Sequence, residues 1–127
     1  MTETLSAKQY REINKAEKHG RIPRVSKARR TVNGIVFDSK KEADRWQALR
    51  FKEIAGTISR LQRQPKFDLN VNGVLIGAYI ADFEYLTATG ELVIEDVKSA
   101  HTRKDPVYRL KAKLVKAIYG ITVKEYV

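Results

Sequence analysis

The sequence predicts an α/β domain, more broadly α+β: a central mixed β-sheet flanked by helices, preceded by a basic N-terminal arm. Three observations carry that expectation. Segments 39–55 and 105–119 each show start and stop signals around a helical apolar stripe. Between and after them lie runs with strand alternation, broken by turn residues. The resulting order is helix, strand, strand, strand, helix, strand, and a sheet between the two helices gives each an apolar surface to cover. A chain of 127 residues suits one such domain.

Residues 1–33 form the arm and residues 34–127 the domain. Within 1–34, nine basic residues stand against three acidic ones, which supplies +6 of the chain's net +10. The stretch HGRIPRVSKARRTVNG combines cations with Gly and Pro and reads as extended, an electrostatic tether to phosphates or a solvated basic tail. Tyr10, Ile13, Ile22 and Val25 exceed what a plain cationic tail needs, so partial ordering is expected.

Residues 34–37 are a short apolar run, a small strand. Ser39 and Glu42 make a capping box that opens the first helix, with Ala43, Trp46, Leu49 or Arg50, and Ile54 on its apolar face and Gly56 ending it. After the lead-in 57–61, residues 64–69 read as a strand with Phe67 and Leu69 on one face, Lys66 and Asp68 on the other. Asn72-Gly73 is a hairpin turn. Residues 74–85 return as the strand carrying Asp82, a turn at 87–90 follows, and 91–98 form the next strand. Residues 99–105 are a polar loop. Asp105 caps and Pro106 opens the second helix, which ends at Gly120. Its expected core stripe is Val107, Leu110, Leu114, Ala117 and Ile118. Residues 121–127 close the chain as a strand, with Ile121, Val123 and Tyr126 inward.

The chemistry concentrates at 79–99. Side chains alternate along a strand, so Asp82 shares a face with Ile80 and Glu84, and Asp96 with Ile94 and Lys98. If these faces coincide across the hairpin, Asp82, Asp96 and Lys98 converge as two carboxylates and an ammonium. That set suits Mg²⁺ or Mn²⁺, which take oxygen ligands and are held by one or two carboxylates plus phosphate. It predicts metal-assisted hydrolysis of a phosphodiester, with Lys98 orienting or activating water. The capping-box role of Glu42 needs no metal. Glu95 faces away unless a bulge swaps it with Asp96, which makes it the second-choice ligand. Gln64, just before its strand, reads on its own as a surface amide capping a turn. His101 reads as a loop residue, and with only His19 elsewhere there is no zinc spacing.

At these residues the sequence resembles the PD-(D/E)XK nuclease superfamily, with Asp82 as the first acid and Asp96-Val97-Lys98 as the D-X-K element. FDSKKEADRW, LQRQPKF, YIADFEY and IEDVKS are similar to a family of small phage and prophage endonucleases, distantly similar to Holliday junction resolvases. The similarity runs from about Gly34 to the C-terminus. Ala81 stands where the superfamily's name has proline. The resemblance implies a restriction-endonuclease-like sheet with the metal site at one end, Mg²⁺ or Mn²⁺ as cofactor, and the Val97 backbone carbonyl as a further ligand; it also places Glu42 at the metal shell as an assisting acid, against a cap alone, and Gln64 at a motif position, against a surface amide.

A pI near 9.9 favours a polyanion, and DNA is the expected partner. The candidate phosphate contacts are Arg24, Lys27, Arg29 and Arg30 of the arm, Arg103 and Lys104 of the loop, and Lys111 and Lys113 of the second helix. Nothing resembles a base-reading helix, so recognition of DNA structure, such as a branch or flap, is expected. Cutting two strands favours a homodimer, and phage replication or packaging proteins are further expected partners. A non-catalytic DNA-binding accessory of replication or recombination is the alternative, though two carboxylates facing DNA weaken binding unless a cation lies between them. RNA as substrate stays open. No run is long enough for a membrane span, and the absence of cysteine fits a reducing cytoplasm, that of the host for a phage protein.

Overall fold

Asn72-Gly73, with φ of 50° and 79°, closes a hairpin much longer than the turn signal alone announces. It belongs to a computed structural model that describes residues 25–127. One arm is β3 (Ile58–Arg63) followed by β4 (Lys66–Val71); the other is β5 (Val74–Ile80) followed by β6 (Phe83–Thr87). The register runs through the break: Lys66 faces Ile80 on one side and Arg63 faces Phe83 on the other. At that level the hairpin leaves its own two-stranded sheet, β4–β5, and enters the central one. Asp82 therefore lies at the junction of two strands, where a single strand over 74–85 was expected. The strand β3 was expected only as a lead-in; its exposed polar residues Ser59, Arg60 and Gln62 hide the alternation.

The central sheet runs β3-β6-β7-β8, with β7 (Leu92–Val97) antiparallel to β6 and parallel to β8 (Lys124–Tyr126). It is mixed, as expected, and one helix covers each side. The helix α1 (Lys40–Ile54) starts where the Ser39 Oγ accepts the Glu42 backbone N–H at 3.1 Å. It buries Ala43, Trp46 and Leu49 with Phe37, Ile58, Phe83 and Tyr85. Ile54, placed on its apolar face by spacing, is 74% exposed. The helix α2 (Pro106–Tyr119) is capped by the Asp105 carboxylate on the Val107 N–H, 3.2 Å, and ends at Gly120 with φ of 71°. It packs with Leu69, Tyr79, Ala81 and Ile94.

The α2 stripe differs from expectation. Tyr108 and Val115 are buried, with Ala112, Leu114 and Ile118 against the same cluster, whereas Val107 and Leu110 are each 59% exposed. Apolar residues occur around much of this helix, so spacing alone does not choose the buried face; the fit against β4 and β5 does. The closing strand is also shorter than expected, with Ile121 and Val123 half-buried ahead of β8.

The expected boundary at 33/34 falls inside a turn. β1 (Thr31–Val32) pairs with β2 (Ile35–Val36), and a 3-10 turn, Ala28–Arg30, precedes them. The Arg30 guanidinium donates to the Phe37 carbonyl at 2.7 Å and to the Val25 carbonyl at 3.2 Å. The described end of the arm is thus fastened to the domain. Residues 1–24 lie outside the described residues.

Candidate active site

The β6–β7 ladder brings the two acids together. Phe83 faces Glu95, so one step further Asp82 lies beside Asp96, and the Asp82 N–H donates to the Glu95 carbonyl at 3.2 Å. Asp82 also stays in step with the other strand: the Gln64 N–H donates to the Asp82 carbonyl at 3.0 Å. The pair is then cross-fastened. Val97 N–H donates to Asp82 Oδ2 at 2.8 Å, and Asp82 N–H donates to Asp96 Oδ1 at 3.2 Å. The Tyr79 hydroxyl donates to Asp96 Oδ2. The Lys98 ammonium lies 3.6 Å from the same oxygen and 4.2 Å from the centre of the Tyr108 ring.

Asp82, Asp96 and Lys98 therefore converge as their spacing implies. Two carboxylates so placed cannot both ionise cheaply. Burial first, and then the charge of Asp96 and a hydrogen bond to it, push the Asp82 carboxyl up to about 8, although the Val97 N–H opposes this. Burial and the Asp96 contact also raise the Tyr79 hydroxyl, so it stays a donor at neutral pH. Burial, then Glu125 and Asp96, hold the Tyr108 hydroxyl up at about 12.

The charges of Asp96 and Lys98 both act on Glu42, whose backbone N–H is the one that Ser39 caps. Glu42 is 6% exposed, and burial raises its carboxyl, with Asp38 and Asp96 adding to the rise and Arg63 and Lys98 opposing it. The neighbouring Lys41 ammonium donates to the Lys98 carbonyl at 3.1 Å, which ties the first turn of α1 to the end of β7.

Glu95 lies elsewhere. Its side chain is fully buried on the opposite face of β7, where both oxygens meet the Arg45 guanidinium, Nη2 to Oε2 at 3.0 Å, and Tyr85 donates to Oε2 at 2.8 Å. No bulge interrupts β6–β7 to turn it round. Gln64 is exposed, and its structural contribution is its backbone, held at φ 53° where the hairpin changes sheets.

Could these residues hold a hard divalent ion? The donor chemistry fits: two carboxylates share a partly buried spot, and a divalent charge offsets the repulsion that raises Asp82. The N–H and C=O of a strand residue leave on the same edge, so the Val97 carbonyl, like its N–H, is directed to the Asp82 side. Among the described residues no three His, Asp or Glu side chains are grouped to hold one ion. An ion held here would rest on two carboxylates and leave the remaining positions to water and phosphate oxygens.

The candidate phosphate contacts divide. Lys111 is half-buried and lines the cavity of about 320 Å³ that Asp96 and Lys98 also line. Lys104 lies in the adjoining cavity with Lys98, whereas Lys113 lies on the flank of α2 beside Arg109. Arg103 is half-exposed, 3.4 Å from Glu125. Lys27 and Arg29 are exposed; Arg30 instead has its guanidinium committed to backbone carbonyls. Arg24 lies outside the described residues. Sequence reasoning missed Tyr79, Arg63 and Lys41. Tyr79 stands three residues before Asp82, a spacing that unbroken alternation puts on the opposite face, and an aromatic in an apolar strand reads as core.

Among the described residues no helix is long and apolar enough to cross a membrane. No curated protein and no solved structure matches the chain. Residues 24–125 match the family described as "Protein of unknown function (DUF1064)", and the chain belongs to that family.

Proposed function

We propose that the protein is a Mg²⁺- or Mn²⁺-dependent endonuclease that hydrolyses phosphodiester bonds in DNA, structure-selective and serving replication or recombination of a phage. One observation carries the reading: Asp82 and Asp96 lie side by side with the Lys98 ammonium 3.6 Å from Asp96. A fixed pair of carboxylates with one cation has no use in a fold that only binds phosphate, because each carboxylate repels it. The resemblance to PD-(D/E)XK nucleases supports the same assignment.

In this reading Asp82 and Asp96 hold the ion. The chemistry such an ion supplies is polarisation of a phosphoryl oxygen and acidification of water. Asp96 is held from both sides, by the Tyr79 hydroxyl and the Asp82 N–H, so its orientation is set before substrate arrives. Lys98, held over Tyr108, directs its ammonium at the attacking water and at the charge that builds on the phosphoryl oxygens. Glu42, buried within reach of the charges of Lys98 and Asp96, would accept the water's proton. Water oxygen would bond to phosphorus as the bond to the sugar oxygen breaks, and that oxygen takes a proton from solvent, leaving one phosphate monoester end and one hydroxyl end.

The test is cleavage of labelled linear, flapped and four-way-junction DNA by wild type and Asp96→Ala, with Mg²⁺, Mn²⁺ or EDTA. Metal-dependent cutting lost in the variant is the expected result. Binding without cutting under every condition would favour a non-catalytic DNA-binding accessory. RNA of matched shape distinguishes the sugar.

A further inference from the structure

Resting on the nuclease reading for its chemistry, but tested by binding, we propose that the site receives an unpaired nucleotide, whose base lies on an apolar wall beside the acids. The cavity of about 320 Å³ is lined by two kinds of side chain. Asp96, Lys98 and Lys111 are charged. Ile80 and Val107, 56% and 59% exposed, make its apolar wall, with Lys111 one helical turn from Val107. A duplex offers only phosphates and sugars to a site of this kind, and its bases stay stacked and turned inward. An apolar wall next to an ammonium pair gains nothing from such a surface. It matches a nucleotide whose base has left the stack: the flat apolar face meets Ile80 and Val107, and the phosphate meets Lys98 and Lys111.

The next cavity continues the track. About 630 Å³ in volume, it shares Lys98 with the first and adds His101, Thr102 and Lys104. Asp105 borders both cavities, but its carboxylate is occupied in capping α2. A cationic pocket one step from the acids takes the neighbouring phosphate of the same strand. Charge complementarity thus fixes the occupant of the apolar wall as a polynucleotide strand. A dry protein surface needs no ammonium on either side.

The experiment uses the full chain in Ca²⁺ or EDTA, so that binding is read apart from cutting. DNA of one sequence is offered as a continuous duplex and with a single unpaired 2-aminopurine, following anisotropy and 2-aminopurine fluorescence. The expected result is at least tenfold tighter binding of the unpaired form, with a fluorescence change. In Val107→Ser and Ile80→Thr that ratio falls several-fold, with melting temperatures near wild type because both side chains are exposed. Equal affinity for the two DNAs, or an unchanged ratio in both variants, would overturn the proposal. So would a dimer seen by sedimentation that Val107→Ser dissociates, since a second copy would then own the apolar wall. Failure of the nuclease reading looks different: no cutting in Mg²⁺ or Mn²⁺ while the binding preference persists.

Discussion

Asp82 carries a cost that the fold accepts. Its carboxyl titrates at about 8 in the folded protein against an ordinary 3.8, so the folded state holds more protons than the unfolded chain across that window. Stability therefore falls as pH rises from about 4 to 8. Asp82→Asn removes the penalty and keeps an oxygen to accept the Val97 N–H. It is expected to melt higher than wild type at pH 8, by about 1–2 kcal/mol, and to show little gain near pH 4. Mg²⁺ should raise the wild-type midpoint more at pH 8 than at pH 5. Equal melting of variant and wild type at pH 8 would mean that the two carboxylates do not repel as placed. Substitution of the buried Glu95 is expected to be costly. Its partner Arg45 is also largely buried, so Glu95→Gln leaves an uncompensated guanidinium and should cost about 3–5 kcal/mol in denaturant unfolding. A stable but inactive Glu95→Gln would return Glu95 to the ligands.

At the scale of elements, α2 does two jobs with one residue. Tyr108 is the buried anchor of the helix and also the ring on which the Lys98 ammonium rests. Tyr108→Phe keeps the ring, and should cleave within about twofold of wild type. Tyr108→Leu keeps apolar volume but loses the cation–π contact, and should lower kcat about tenfold with KM little changed. If Leu matched Phe in kcat, Tyr108 would be packing alone. This double duty explains what the sequence left illegible. Ser39, Asn72-Gly73, Asp105-Pro106 and Gly120 act locally, and their elements are where those residues place them. The convergence of Asp82 with Asp96 was legible too, because alternation and a hairpin suffice to imply it. The buried face of α2 was not, since Val107 and Leu110 are as apolar as Val115 and only tertiary fit distinguishes them. The break at Asp82 was hidden for a related reason: the register is continuous across it, so a hairpin crossing between sheets has the same pattern as one long strand.

For the whole molecule, the question is where the positive charge works. Residues 1–24 hold six basic and three acidic residues, so taking their +3 from the total of +10 leaves +7 on residues 25–127. Because Arg30 ties the following segment to Phe37, a deletion that probes the arm must stop before Val25. Each phosphate neutralised contributes about 0.9 to the slope of log affinity against log salt. If the arm lies along the backbone, removing residues 1–24 should make that slope shallower by about 2–5 and weaken binding mainly at low salt. The preference for an unpaired nucleotide should survive, because the cavity walls come from β5, β7 and α2. Lys104→Ala in the intact chain should lower the slope by about one, as expected of a single phosphate contact. An unchanged slope after the deletion, measured by anisotropy titrations between low and physiological salt, would assign the salt dependence to the cations around the two cavities. The first 24 residues would then be excluded from the DNA path.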